Sequence, residues 1–229
     1  ATTEIYTLSL HDALPISGGT TTFQVTFDPS AVGTRTAALS IANDDADENP
    51  YNYSIQGNGT APEMDVRGNA VSIVDGDNTP SLTDHTDFGA ALVAGGTVVR
   101  TYTITNSGTA MLNLSGNPRV AVSGTHAADF TVTTQPAATV AAAGTTTFQV
   151  TFDPSAVGTR TAALSIANDD ADENPYNYSI QGTGTVANVA PTNILLFTTN
   201  VAENLPSGTT VGSFNTQDPD SGNTFTYTL

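Results

Sequence analysis

Residues 144–182, GTTTFQVTFDPSAVGTRTAALSIANDDADENPYNYSIQG, decide the fold, because apolar and polar side chains alternate along them with a period of two. In Thr147–Phe152 the alternation sets Phe148, Val150 and Phe152 on one side and Thr147, Gln149 and Thr151 on the other. A strand with one buried face produces this pattern, since successive side chains point to opposite faces of a sheet. Thr161–Ile166 and Tyr176–Ile180 repeat it, and Asp153-Pro154 and Asn174-Pro175 punctuate the gaps. Upstream, Val99–Ile104 alternates with Tyr102 and Ile104 on one face, and Asn106-Ser-Gly108 and Gly116-Asn-Pro118 mark further turns. Several short strands at this spacing predict a sandwich. No amphipathic helix of useful length is expected, and the alanine-rich stretch 137–143 is expected to be a connector.

The same 39 residues occur unchanged as Gly19–Gly57, an offset of 125 residues. That period is too long for a solenoid repeat and suits a whole domain of about 100 residues or slightly more. The expected organisation is all-β: tandem immunoglobulin-like sandwich modules, one complete over 61–184 and two partial. The partial ones are the C-terminal part of a first module, 18–60, and the start of a third, 192–229, after the linker 185–191. Residues 1–17, ATTEIYTLSLHDALPIS, read as translated sequencing adapter rather than as protein. They contain no Lys or Arg and no unbroken apolar stretch, so they do not read as a secretory signal.

Composition removes several function classes. The chain has a formal net charge of −17, and its five basic residues are scattered arginines (Arg35, Arg67, Arg100, Arg119, Arg160). It cannot build the basic stripe that a phosphate backbone or an anionic lipid surface requires, so neither nucleic acid nor electrostatic membrane docking is expected. No apolar run approaches the roughly 20 residues of a membrane-spanning helix. With no cysteine and no lysine, the available nucleophiles and bases reduce to hydroxyls and carboxylates plus His85 and His126, once His11 is set aside with the adapter-like segment. Neither histidine sits in a metal-ligand spacing, no Gly-x-Ser-x-Gly elbow is present, and a chain without Trp offers little of a sugar platform. No enzyme is expected.

At finer grain, Asp75–Gly89 (DGDNTPSLTDHTDFG), Arg100–Leu114 (RTYTITNSGTAMLNL), Ala127–Val132 (AADFTV) and Phe148–Thr185 resemble the choice-of-anchor D domain. That family comprises immunoglobulin-like sandwiches of bacterial exported proteins. The resemblance implies a secreted or cell-surface protein whose modules are structural or adhesive, with other surface proteins or glycans as partners. The alternative is a carbohydrate- or protein-binding module accessory to an extracellular enzyme.

After Pro191 the chain resembles the opening of a bacterial cadherin repeat: Pro191–Ile194, Val201–Asn204, Gly208–Phe214, Asp218–Gly222 and Phe225–Leu229. By that resemblance Glu203, Asp218 and Asp220 are calcium ligands, with Asn188 as the one remaining polar ligand of the junction. Val186 and Val189 stand where the family carries acidic residues. Calcium takes six to eight hard oxygen ligands, and closely spaced carboxylates supply several from one loop. In this chain weak binding or none is expected, and Asp218–Gly222 also reads as a plain polar turn.

Two further acidic loops pose the same choice. In Asn168–Asn174, repeated as Asn43–Asn49, Asp170, Asp172 and Asn174 match the first three ligand positions of a helix-loop-helix calcium loop. Pro175 stands where the turn glycine belongs and Gln181 where the bidentate glutamate belongs. The loop reads either as a solvated connection between strands or as an irregular calcium loop. The looser set Asp75, Asp77, Asp84 and Asp87 reads the same way.

Overall fold

The computed structural model describes residues 20, 22–197, 200, 202–210 and 212–227. The adapter-like segment 1–17 lies outside them, as do Val201, Val211 and the last two residues of the cadherin-like piece. In chain order the strands are β1 (Gly33–Ile41), β2 (Tyr51–Gly59), β3 (Met64–Gly68), β4 (Val71–Ile73), β5 (Asp87–Leu92), β6 (Val98–Asn106), β7 (Leu112–Asn113), β8 (Ala121–Ser123), β9 (Phe130–Thr134), β10 (Thr139–Val140), β11 (Thr145–Phe152), β12 (Gly158–Ile166), β13 (Tyr176–Thr185), β14 (Asn193–Phe197) and β15 (Ser213–Gln217). The only helical turn among the described residues is a short 3-10 turn at Ala127–Asp129. The 137–143 connector carries the two-residue strand β10, which pairs with β7.

Two sheets built from residues 64–185 form an immunoglobulin-like sandwich. One has the order β4-β3-β6-β11-β9 and the other β5-β13-β12-β8. Neighbours are antiparallel except β13 and β5, which run parallel. The alternation seen in the sequence becomes the core. Phe148, Val150 and Phe152 of β11 and Tyr102 and Ile104 of β6 are fully buried, and they face Leu164 and Ile166 of β12 and Tyr178 and Ile180 of β13. Tyr102 stacks on Phe148 at 5.1 Å and Phe130 on Phe152 at 4.8 Å between ring centroids. Each such side chain, fully buried, contributes about 1.5–3 kcal/mol. β9 joins β11 with a register shift between Gln149 and Val150, the local irregularity of a bulge.

At the other end of the core Asp129 is buried and ion-paired with Arg160, whose side chain also reaches the Ser155 hydroxyl at 3.0 Å. Burial alone raises the Asp129 pKa. The hydrogen bonds from Arg160 and Ser155, with the Arg160 charge, override it and hold the carboxyl below its ordinary value.

The identical repeat folds differently outside this sandwich. β1 and β2 pair in the same register as β12 and β13, from Gly33 opposite Gly59 to Ile41 opposite Tyr51. Residues 22–27, identical to residues 147–152 of β11, make no ladder. A strand needs a partner, and no described residue takes the place of β6 or β9 beside them. Phe23, Val25 and Phe27, whose counterparts are fully buried, are 38–49% exposed. β14 and β15 form a second two-stranded antiparallel hairpin, Asn193 opposite Gln217.

Candidate metal centre

The 168–174 loop is organised by one side chain. Asn168 Nδ2 donates to the carbonyls of Ile166 at 3.1 Å and Glu173 at 2.9 Å, and its Oδ1 accepts the Asp170 N–H at 2.7 Å. Asn174 Oδ1 in turn accepts the Asn168 N–H at 3.2 Å. Asn43 makes the same four bonds in the first copy, to Ile41, Glu48, Asp45 and Asn49. The loop conformation is therefore written locally, in residues that satisfy their own backbone groups.

What the loop presents depends on its surroundings. Asp170 is 2% exposed, and its Oδ2 accepts the Met64 N–H at 2.6 Å, which pins the start of β3 to the β12–β13 loop. The pin brings in Glu63. Carboxylate oxygens of Glu63, Asp170 and Asp172 all lie within 4.8 Å of one another. Oxygens held about 2.4 Å from one calcium ion are at most about 4.8 Å apart, so this spacing fits a single such ion. An all-oxygen set of hard donors suits calcium, magnesium or manganese and offers nothing to a soft metal. Glu63 and Asp172 are exposed, which leaves water free to complete the shell.

Glu173 sits beside the cluster with its Oε2 buried and without a hydrogen-bond partner among the described residues. Burial, then the charges of Asp170, Glu63, Asp172 and Asp75, push its carboxyl up to about 7. Asp170 is raised too, first by burial, with the neighbouring Asp172 adding to the shift. The exposed counterpart Asp45 moves the opposite way, lowered by hydrogen bonds from Asp47. Identical sequence thus gives opposite shifts: burial and Asp172 raise Asp170 against the lowering hydrogen bond from the Met64 N–H, whereas Asp47 lowers the exposed Asp45.

Of the three residues expected in this loop, the structure brings Asp170 and Asp172 together, while Asn174 turns its Oδ1 to the Asn168 backbone. Glu63 was not legible. It lies more than a hundred residues upstream, and only the docking of β3 on the loop places it there. The looser acidic set is taken up by protein hydrogen bonds, some within its turns and some across to β13. Asp75 accepts the Asn177 N–H, Asp77 and Asp84 cap Thr79 and Thr86, and Asp87 accepts from Gly89 and Gln181.

In the cadherin-like piece the structure groups three of the four expected ligands. Asp220 Oδ2 accepts the Val189 N–H at 2.5 Å, and Asn223 Nδ2 donates to Asp218 at 3.1 Å and to Asn188 at 3.4 Å. Glu203 is exposed in the turn segment 202–210, and no hydrogen bond among the described residues ties it to the others. No helix among the described residues is long and apolar enough to cross a membrane.

No curated protein matches the chain. Among solved structures it is similar to the ASH/PapD-like domain 7 of human CEP192, at 16% identity over 54% of this chain and 86% of that one, with a TM-score of 0.36. It is similar to the Vibrio cholerae VesB protease, at 17% identity over 44% and 29% of the two chains, TM-score 0.32. It is also similar to the secreted serine protease VesC from Vibrio cholerae, at 19% identity over 54% and 30%, TM-score 0.35. The chain thus spans less than a third of either protease. Residues 81–183, most of the two-sheet sandwich, match the family model described as HYDIN/CFA65/VesB-like, Ig-like domain, and the sandwich is of the immunoglobulin-like type.

Proposed function

We propose that this chain is a non-catalytic structural stretch of an extracellular protein, in which immunoglobulin-like modules space a functional part away from a surface, and that calcium stiffens the entry to the complete module. In this reading residues 18–60 and 61–184 are choice-of-anchor D-type modules, 185–191 is a linker and 192–229 opens a cadherin-type module. The observation that carries the calcium part is the convergence of Glu63, Asp170 and Asp172 on one point, beside the unpartnered Glu173 oxygen. Three carboxylates held that close repel one another, and a divalent ion turns the repulsion into a tie. The tie joins the residue that precedes β3 to the loop between β12 and β13, so the ion would fix the direction in which the chain enters the sandwich.

Asn188, Asp218 and Asp220 form a second, more exposed candidate group in the cadherin-type piece, to which Glu203 would have to move. A second reading is an accessory module of a secreted enzyme, with a glycan or protein as ligand. The match to a family whose description names VesB favours it.

Thermal melting of the full chain in chelator and in millimolar calcium tests the ion. A midpoint that rises with calcium, and stops rising in Glu63→Gln/Asp172→Asn, is the expected result. An unchanged midpoint would overturn the calcium reading, because an ion specific to the native state must raise it.

A further inference from the structure

A charge taken out of water needs a counter-charge or a full set of hydrogen bonds. Arg160 is ion-paired with Asp129, and Arg67 with Asp65. Arg100 has no carboxylate within ion-pair distance among the described residues, although the chain carries a net charge of −17. It lies opposite the fully buried Val150 of β11, so its side chain leaves β6 on the core face, and it is half-buried there. Its Nη2 donates to the Phe88 carbonyl at 3.2 Å, while its Nε is buried without a hydrogen-bond partner among the described residues. Leaving a buried donor of a charged group unpaired costs more than an ordinary hydrogen bond contributes.

His85 sits in the same seam. Its carbonyl accepts the Tyr102 hydroxyl at 2.7 Å, so residues 85–88 are stitched to β6 twice, by Tyr102 at one end and by Arg100 at the other. His85 holds a φ of +65°, a left-handed conformation uncommon outside glycine, and its Nδ1 is likewise buried and unpartnered among the described residues. The carboxylates of this segment are committed elsewhere. Asp84 Oδ1 accepts the Thr86 N–H and hydroxyl, and Asp87 accepts from Gly89 and Gln181. Burial and then the Arg100 charge lower the His85 pKa, and Asp84 opposes them more weakly, so the field at the imidazole is positive.

We infer that Arg100 Nε–H and the Nδ1–H tautomer of His85 close on one small monovalent anion, of the chloride class, in the seam between residues 84–88 and β6. The two unpartnered nitrogens and the positive field define what fits. A carboxylate is recognised by a fork of two parallel N–H donors. With Nη2 held by the Phe88 carbonyl, Arg100 offers Nε as a lone buried donor, and His85 adds one more. Two single donors suit an acceptor of one atom. The ion would satisfy both nitrogens, neutralise Arg100 and tie β6 to the turn that leads into β5. Every residue involved lies between 84 and 102, inside the two-sheet sandwich, and the site is independent of the calcium reading.

Chlorine nuclear magnetic resonance tests the site on the full chain, because the chloride line of a sodium chloride solution broadens when the ion exchanges with a protein site. The parent chain should broaden the line, and Arg100→Met and His85→Phe should each lose that broadening. Arg119→Met is the charge-matched control: Arg119 also makes no ion pair among the described residues, but it donates to the Pro136 carbonyl away from this seam, and its variant should broaden the line as the parent does. Circular dichroism establishes that each variant is folded, and if Arg100→Met does not fold, His85→Phe, which keeps Arg100, carries the test. Three results would each overturn the proposal: no broadening by the parent, broadening that survives in a folded variant at position 85 or 100, or a line that equimolar acetate narrows, which would assign the seam to carboxylates.

Discussion

Replacing Glu173 by Gln removes the most strained charge of the acidic cluster while keeping its shape. The ordinary value for this carboxyl is 4.5, and in the folded chain it rises to about 7. Below pH 4.5 the group is neutral in both states and costs nothing. Between pH 4.5 and 7 the unfolded carboxyl ionises while the folded one keeps its proton, so stability falls across that window and stays low above it. The rise from 4.5 to about 7 corresponds to about 3 kcal/mol at full weight, and solvent screening of a partly exposed side chain brings this to about 1–2 kcal/mol. For a module of about 120 residues that is roughly 4–8 °C in the melting midpoint. In chelator at pH 7.5, Glu173→Gln should therefore melt higher than the parent by that amount, and at pH 4.5 the two should coincide.

The difference between the two proteins is the quantity to read. His85, lowered by burial and by the Arg100 charge, contributes stability that is present above pH 6.5 and lost as pH falls, which opposes Glu173 in the parent melt. A difference that is zero at pH 7.5, or that shrinks as pH rises, would refute the assignment. Calcium should shrink the difference, because a cation held by Glu63, Asp170 and Asp172 offsets the like charges that push the Glu173 carboxyl up.

Several further outcomes follow from the packing. Phe152→Ala should destabilise the sandwich by about 3–5 kcal/mol in denaturant unfolding, whereas Phe27→Ala, identical in sequence context but half exposed, should cost well under 1 kcal/mol. Two buried tyrosines should respond with opposite signs. Tyr176 donates its hydroxyl to the Ile73 carbonyl, so Tyr176→Phe should cost about 1–2 kcal/mol; the Tyr178 hydroxyl has no partner among the described residues, so Tyr178→Phe should be neutral or stabilising by about 1 kcal/mol. Asp129→Asn should flatten the acid limb of the stability curve. A carboxyl held below its ordinary 3.8 contributes stability above that value and loses it as pH falls through the folded pKa, and the mutant should lack this loss in acid titrations followed by circular dichroism.

The strands were legible because burial writes a period of two. Phe148, Val150 and Phe152 carry no other signal, and all three are fully buried. The loop was legible in part, since Asn168 and Asn174 close it through local bonds that its composition suggests. Two things were not. The alternation in residues 22–27 predicts a strand as firmly as in residues 147–152, yet only the second set forms one, because a ladder needs a partner that pattern alone does not supply. The grouping of Glu63 with Asp170 and Asp172 was not legible either, because Glu63, the residue before β3, is brought to the loop only by the Met64–Asp170 hydrogen bond, while Asn174 Oδ1 faces the Asn168 backbone.

The duplicated segment separates what 39 residues encode from what their surroundings add. Both copies hold the same hairpin register and the same asparagine-centred loop, so these belong to the segment itself. The burial of Phe152, the raised carboxyl of Asp170 and the pairing of β11 appear in one copy only, where residues 64–134 supply the opposing strands and the Met64 N–H. The chemistry of the candidate centre is therefore a property of the closed sandwich. It follows that Asp45 and Asp47 of the open copy should not bind an ion, even though they share every neighbour in sequence with Asp170 and Asp172. A cation that bound both loops alike would show that the local sequence suffices and that Glu63 is dispensable.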